Sequence, residues 1–483
     1  MSHGGGHGGW FAHKWHEWTD FEEWVDWVGE WGVSRALFLG TLFFGQYFVL
    51  SQFIPNLGLF TFSWLAGTAP IWVPIGLVVG GWKAWIWYAQ SLYLSGRSPM
   101  LLEVKFPREI TKSPRAMELA LLAFNLSSGE TTFIHRAWKG QVRPFFSLEL
   151  ASFGGEVHFF IWTWKNYKDV VESALYTQYP EIEIVQVEDY ATKFQYDPEK
   201  HTAWGVEWPM LTSMAGFKGK GMHDFRINAY QLRSYVDYEL DKDPKEEFKI
   251  DPLAYILEFL SSINPNEQLW IQIVFRKAGR HSVLGIFSEP DDDSRWKSVV
   301  EKEVQRIRAQ ASIIPSSVLS DVYSEAGEED TGKQPQARAS WRQQRMMESM
   351  ERHLGKTPYE VGMRGIYWVE GDLRGTTSTG LRWIWRPYGN PFYGSYLRPK
   401  KWHCDFDYPW QDFHDLRWIN QTRRVHDAYR RRSYFHSPWI VPTNIMTNET
   451  LASLWHPPSR AVTAPGLARM PATKSEAPAN LPM

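Results

Sequence analysis

FSLELASFGGEVHFFIWTW (146–164) alternates apolar and polar residues on both sides of a Gly154-Gly155 pair, the pattern of two strands closed by a tight hairpin. On the N-terminal side, LLEVKF (101–106) predicts a short strand. PREITKSP follows as turn chemistry, and RAMELALLAF (115–124) has helical periodicity, with Ser113-Pro114 as its start. On the C-terminal side, NYKDVVESALYTQY (166–179) predicts an amphipathic helix and IEIVQVEDY (182–190) a strand. The order β-α-β-β-α-β is that of a ferredoxin-like unit, expected over 97–195. Such a sheet has one helix-covered face and one open face suited to partners.

A second α+β unit is expected over 196–319. RINAYQLRSYVDYEL (226–240) reads as extended. DPLAYILEFLSSI (251–263) reads as a helix with Asp251 as N-cap, EQLWIQIVFRK (267–277) as a strand and SRWKSVVEKEVQRIRAQA (294–311) as a long helix. The acidic, polar stretch 320–340 reads as a disordered linker. Beyond it, MMESMERHLG (346–355) and VGMRGIYWVE (361–370) look like a helix and a strand that complete the second unit within 341–447. NETLASLW (448–455) reads as a short helix capped by Asn448. The proline-rich tail to 483 suits strand addition, onto a partner or onto the chain's own sheet.

The segment 34–96 reads differently. Ala36–Ile54 carries no charge and is long enough to cross a hydrocarbon core. Ala69–Tyr88 is a second such run. Its aromatic end (Trp82, Trp85, Trp87, Tyr88) and Lys83 are expected at the membrane interface. The first run lies too far from the N-terminus for a signal peptide, so a retained two-helix transmembrane hairpin is expected, in preference to two buried core helices. The loop 55–68 has no charge, whereas Arg97, Lys105, Arg108, Lys112 and Arg115 follow the second run. Basic flanks stay inside, which predicts both termini on the cytoplasmic side of a bacterial inner membrane. Residues 1–33 predict an interfacial amphipathic helix behind a Gly/His-rich tail (His3, His7, His13, His16). That tail offers no fixed metal geometry.

The chain has 483 residues, a net charge of −2, 27 tryptophans and one cysteine, Cys404. No intrachain disulfide is possible, and no global field draws the protein to nucleic acid. The local exception is 382–435, where eleven Lys and Arg interleave with tryptophan and tyrosine against five aspartates. This mixture fits single-stranded nucleic acid, anionic lipid headgroups, or a solvated basic helix beside an aromatic core. The residues expected to make any such contact are Arg398, Lys400, Lys401, Arg423, Arg424, Arg430, Arg431 and Arg432. No catalytic site and no cofactor is expected: no nucleophile elbow or HExxH occurs, and Gly355-Lys356-Thr357 lacks the earlier glycine of a phosphate loop, whose place Met350 holds. His403, Cys404, Asp405, Asp407 and His414 are metal-ligating types without a paired spacing.

FPREITKSPRAMELAL (106–121), FSLELASFGGEVHFFIW (146–162), VVESALYTQYPEIEIVQVEDY (170–190), KIDPLAYILEFLSSINPNEQLWIQI (249–273), NETLASLWHPP (448–458) and PANLP (478–482) resemble bacterial membrane proteins similar to the region preceding the motor of HerA/FtsK-like conjugative coupling ATPases. The likeness covers about 100–311 and 440–482, and 381–435 matches it weakly. It implies a membrane-bound accessory subunit of a DNA-transfer or type IV secretion-like machine that docks a separate hexameric P-loop ATPase. ATPase activity does not carry over. Two rivals stand beside this reading: a membrane-tethered protein binding single-stranded DNA, and an envelope assembly factor unrelated to DNA.

Overall fold

The computed structural model describes residues 35–54, 56–107, 110, 112–126, 130, 132–212, 225–242, 250–279, 282–283, 287–288, 292–311, 339–390, 394–402, 412–459, 462, 464–467 and 469–470. The expected interfacial helix, the Gly/His tail, nearly all of the acidic linker and the cluster 403–407 lie outside these residues. Two compact units are distinguished, one formed by 1–83 with 404–421, the other by 84–403 with 422–483.

In the first unit, α1 (Arg35–Phe53) is followed by α2 (Leu57–Ser95), which continues into the second unit. Here the structure corrects the sequence reading. The expected loop 55–68 shrinks to a turn, with Asn56 at φ 62°, and helix resumes at Leu57. LGLFTFSWLAGT has no turn-forming cluster to stop it. Pro70 and Pro74 lie inside α2 without ending it. Phe44, Phe53, Phe60, Phe62, Leu77 and Val78 are all exposed. By length and composition α2, with 39 residues, is apolar enough to cross a membrane.

The second unit is built on one ten-stranded sheet. Its first part is β1 (Pro99–Pro107), α3 (Pro114–Leu121), β2 (Phe145–Phe153), β3 (Glu156–Trp164), α4 (Lys168–Gln178) and β4 (Glu183–Val187). Gly154 and Gly155 turn the β2–β3 hairpin at φ +60° and +98°, a region open to glycine. β1 pairs antiparallel with β3 on one edge and with β4 on the other. The remaining strands are β5 (His201–Glu207), β6 (Glu267–Lys277), β7 (Pro358–Glu370), β8 (Lys400–Lys401), β9 (Asn444–Thr447) and β10 (Arg469–Met470). They join that sheet in the order β8-β5-β7-β6-β2-β3-β1-β10, with β9 on β7 beside β5. Strands expected of two separate units therefore share one hydrogen-bonded surface. β10 runs parallel to the end of β1, while Leu467 bridges Val157 of β3. The tail thus adds a strand to the chain's own sheet.

Helices cover both faces. α3, α4, α5 (Leu253–Ser261) and α9 (Asn448–Leu454) pack on one. α6 (Asp292–Ala311) and α7 (Trp341–Leu354) form a satellite core through Trp296, Val300, Met346 and Met350. The other face was expected to be open. It is instead covered by α8 (Leu416–Arg430) and by residues around Tyr190–Phe194: Val425 and Tyr429 pack with Trp270 and Trp368 of the sheet. The face is too apolar to be left in water.

Local readings shift in three further places. Residues 225–240 are not a strand but a 3-10 turn and successive turns, because their polar groups bond individually to neighbouring elements. Gln231 Nε2 donates to the Ile445 carbonyl, and the Tyr235 amide to Ser453 Oγ. The cap of α9 is Thr447, one residue before Asn448, whose side chain instead accepts from the Thr357 amide. Ser340, assigned to the linker, caps α7 in a reciprocal box with Gln343. At α5 the N-cap is Pro252, one residue after the expected Asp251, whose carboxylate still accepts from the Leu253 amide.

Candidate functional site: a basic and aromatic cavity beside the end of the long helix

The expected contact residues separate into three groups. Arg398 and Lys400 are exposed and Lys401 is half-buried; both lysines lie on the edge strand β8, paired with β5. Arg423 and Arg424 are exposed on α8, with the Arg424 guanidinium 5.0 Å from the Trp439 ring. Arg430, Arg431 and Arg432 are brought together with the end of α2.

Of these three, Arg432 does not face outward. It is fully enclosed, which corrects its assignment to a contact surface. Its Nε donates to Glu149 Oε1 at 2.9 Å and its Nη2 to Glu149 Oε2 at 3.1 Å, a bidentate pair. Nη2 also reaches Asp189 Oδ1 at 3.0 Å, and Nη1 donates to Asp189 Oδ2 and to the Arg430 carbonyl. Burial disfavours the charge, but Glu149 and Asp189 outweigh it and hold the guanidinium protonated well beyond its ordinary range. The physical reason for its inward turn is Glu149, a carboxylate at mid-strand on the packed face, which needs a cation there.

Arg430 and Arg431 remain exposed and share one acid: Arg431 Nε donates to Asp427 Oδ1 at 2.7 Å and Arg430 Nη2 to the same oxygen at 3.2 Å. Trp439 Nε1 donates to Asp427 Oδ2 at 2.9 Å. Although burial raises the Asp427 pKa, these bonds and cations bring it below the usual carboxylate range.

Residues 430–438 line a cavity of about 470 Å³. The last turns of α2 (Trp87, Ser91, Leu94, Ser95) and Arg97 line it too. Its floor is the aromatic face of the sheet: Phe145 stacks on Trp162 at 5.3 Å and meets Trp164 edge-on at 5.4 Å. The Arg97 guanidinium lies 4.4 Å from the Tyr93 ring and 5.5 Å from that of Trp164. Four arginines and one aspartate line the space. His436 also lines it, held well below its ordinary pKa by burial and by Arg276 and Arg143, and so neutral.

The expected interface residues divide likewise. Lys83, Trp87 and Tyr88 are exposed and Trp82 is half-buried. Trp85 turns to the protein: its Nε1 donates to the Ala137 carbonyl at 3.0 Å, and its ring meets Trp138 at 5.3 Å. The last turns of α2 are anchored at that point, since Ala89 is buried and Gly140 lies against its backbone.

Sequence reasoning missed Arg97 as a wall, reading it only as a basic flank, and missed Glu149 and Asp189 as the partners of Arg432. The isolated Glu149 inside FSLELASF was the available signal, because a buried carboxylate implies a cation. It also missed a second, partly buried charge cluster. There Lys356 Nζ lies 2.6 Å from Glu118 and 3.5 Å from Glu449, and Arg352 Nε lies 3.1 Å from Glu449. Tyr235 donates to Glu118 at 2.5 Å. All these groups are mutually engaged, which makes the cluster a brace joining α3, α7 and α9. Among the described residues, no three His, Cys, Asp or Glu side chains gather to hold a metal ion. No protein-family model matches the chain, and no curated protein matches it.

Proposed function

We propose that the chain is a membrane-anchored, non-catalytic scaffold, held by a two-helix hairpin in a bacterial inner membrane with both termini cytoplasmic, that docks a separate P-loop ATPase. The observation that carries the anchoring is α2. It is 39 residues long, apolar and exposed along its sides, and it runs through only residues 96–98 into β1 of the sheet. The hairpin reading is supported by the short connection between α1 and α2 and by the Tyr47 hydroxyl, 2.8 Å from Thr61 Oγ1. The ferredoxin-like reading of 99–187 is supported by the strand order β4-β1-β3-β2, all antiparallel. The ATPase partner rests on the sequence resemblance alone.

A cysteine placed at Gly58 tests the topology. In intact cells it should react with a membrane-impermeant thiol reagent; labelling only after lysis overturns the orientation. Carbonate extraction tests the anchor, which should keep the full chain in the membrane pellet. Crosslinking in native membranes should recover a P-loop ATPase of the coupling class, and its absence removes the docking role.

The second reading, a tethered nucleic-acid-binding protein, is favoured by the exposure of Arg398, Lys400, Arg423 and Arg424. It requires salt-dependent binding of single-stranded DNA by the full chain.

A further inference from the structure

We propose that the cavity between the end of α2, the aromatic sheet face and residues 430–438 is a binding site for the headgroup of an anionic glycerophospholipid. The inference deepens the membrane-anchor reading and rests on it for the source of the ligand.

The chemistry of the walls selects an amphiphile with a negative head. Four arginines line the space against Asp189 alone. Even when Glu149 and Asp427 behind them are counted, one positive charge is left over. The two exposed guanidiniums, Arg430 and Arg431, share a single carboxylate oxygen. A planar guanidinium suits phosphate oxygens better than an ammonium does, because it donates in a fork. Arg97 lines the same cavity. Its stacking on Tyr93 and Trp164 holds it in place while leaving its charge uncompensated by any described carboxylate ion pair.

The remaining surface is wrong for a small soluble anion. Trp87 is 53 % exposed, and Phe145, Trp162 and Trp164 supply apolar rings on the floor. Trp with one apolar end and one polar edge suits the headgroup level of a bilayer. Trp87 belongs to the aromatic end of the apolar run in α2, so the cavity begins where that run ends. A glycerophospholipid satisfies both halves: phosphate against the arginines, glycerol and first acyl carbons along the tryptophans. A nucleic-acid strand would meet the same cations, but here the rings are enclosed on a floor rather than spaced along an open groove.

The test uses the full chain, purified in a zwitterionic detergent and stripped of lipid. Short-chain phosphatidylglycerol and phosphatidylcholine are titrated below their micelle concentrations, and tryptophan fluorescence reports binding. Phosphatidylglycerol should bind at least tenfold more tightly, and the preference should shrink as salt rises. Arg97→Gln should weaken it about fivefold, and Arg430→Gln with Arg431→Gln by roughly the product of two such steps. Arg398→Gln, on a residue away from the cavity, should change nothing. Equal binding of the two lipids, or wild-type binding by the arginine variants, overturns the site. Glycerol 3-phosphate competing at the same concentration as the lipid overturns the lipid as its occupant. Carbonate extraction is read separately. A chain that stays in the membrane without lipid preference sinks the cavity and spares the anchor, and a chain that washes off while preferring phosphatidylglycerol does the reverse.

Discussion

Replacing Arg432 by methionine isolates the one arginine of the 430–432 run that belongs to the core. The side chain is fully enclosed, and its bonds run to Glu149, which is equally enclosed, and to Asp189, whose side chain is 22 % exposed. Methionine fills similar volume but strands two carboxylates. Removing one partner of a buried pair costs about 3–5 kcal/mol, because the remaining charge has no compensation. For a body of this size each kcal/mol lowers the thermal midpoint by about 2 °C, which gives a fall of roughly 6–10 °C. Arg430→Gln and Arg431→Gln break only exposed pairs with Asp427, worth about 0–1 kcal/mol, so each should move the midpoint by about 2 °C or less. Adding Glu149→Gln to Arg432→Met should restore part of the loss, since Asp189 can still reach water. The assay is tryptophan fluorescence of the full chain in detergent during heating. If Arg432→Met melts with the parent, or if all three single variants shift alike, the enclosed pairing is wrong.

His353 is held neutral, with a pKa depressed from 6.5 to about 3, by burial first and by Arg352 second. Between those values the unfolded chain takes up a proton that the folded chain refuses, so stability is complete above pH 6.5 and declines as pH falls, by up to about 1.4 kcal/mol per pH unit for this group. Denaturant midpoints measured from pH 7.5 to 5 should show that slope, and His353→Gln should flatten it; an equally steep profile in the variant would falsify the assignment. Gly140 has φ +60°, and a Cβ there would lie 2.2 Å from the carbonyl carbon of Ala89. Gly140→Ala should cost roughly 2–4 kcal/mol in denaturant stability, from left-handed strain plus displacement of the α2 backbone, and should change the tryptophan emission through the Trp85–Trp138 contact. An unaltered midpoint and spectrum would refute the close approach.

The strands of the sheet were legible because each carries its own signal. The hairpin at Gly154-Gly155, the strands at 101–106 and 361–370 and the helices at 168–178 and 292–311 follow from period and punctuation within a dozen or so residues. What joins them was not legible, because pairing is non-local. Nothing in EQLWIQIVFRK says that it lies between β2 and β7, so strands read as two units emerge as one sheet. The basic segment failed for a related reason. Composition cannot separate Arg431 from Arg432, although one is exposed and the other is enclosed. The difference lies in Glu149, 283 residues away along the chain. The loop 55–68 was expected as the stretch between two apolar runs, but nothing in LGLFTFSWLAGT stops a helix, which resumes at Leu57.

The proposed scaffold role requires the end of α2 to be held on the sheet, and the residues that hold it are few and identifiable. The last turns of α2 are fixed by Trp85 on the Ala137 carbonyl and by Ala89 against Gly140, on the segment 134–140 that leads into β2. Only residues 96–98 separate the helix from β1, too short a length to act as a flexible tether. β1 in turn is held on both edges, by β3 and β4, with β10 added at its far end. Movement of the helix end therefore loads two points of the sheet on either side of β3, the start of β1 and the approach to β2. These points flank the cavity that Arg97, Phe145 and Trp164 line. A lipid headgroup bound there would bridge the helix end to residues 430–436 and stiffen the joint, which ties the proposed ligand to the proposed scaffold role through the same few side chains.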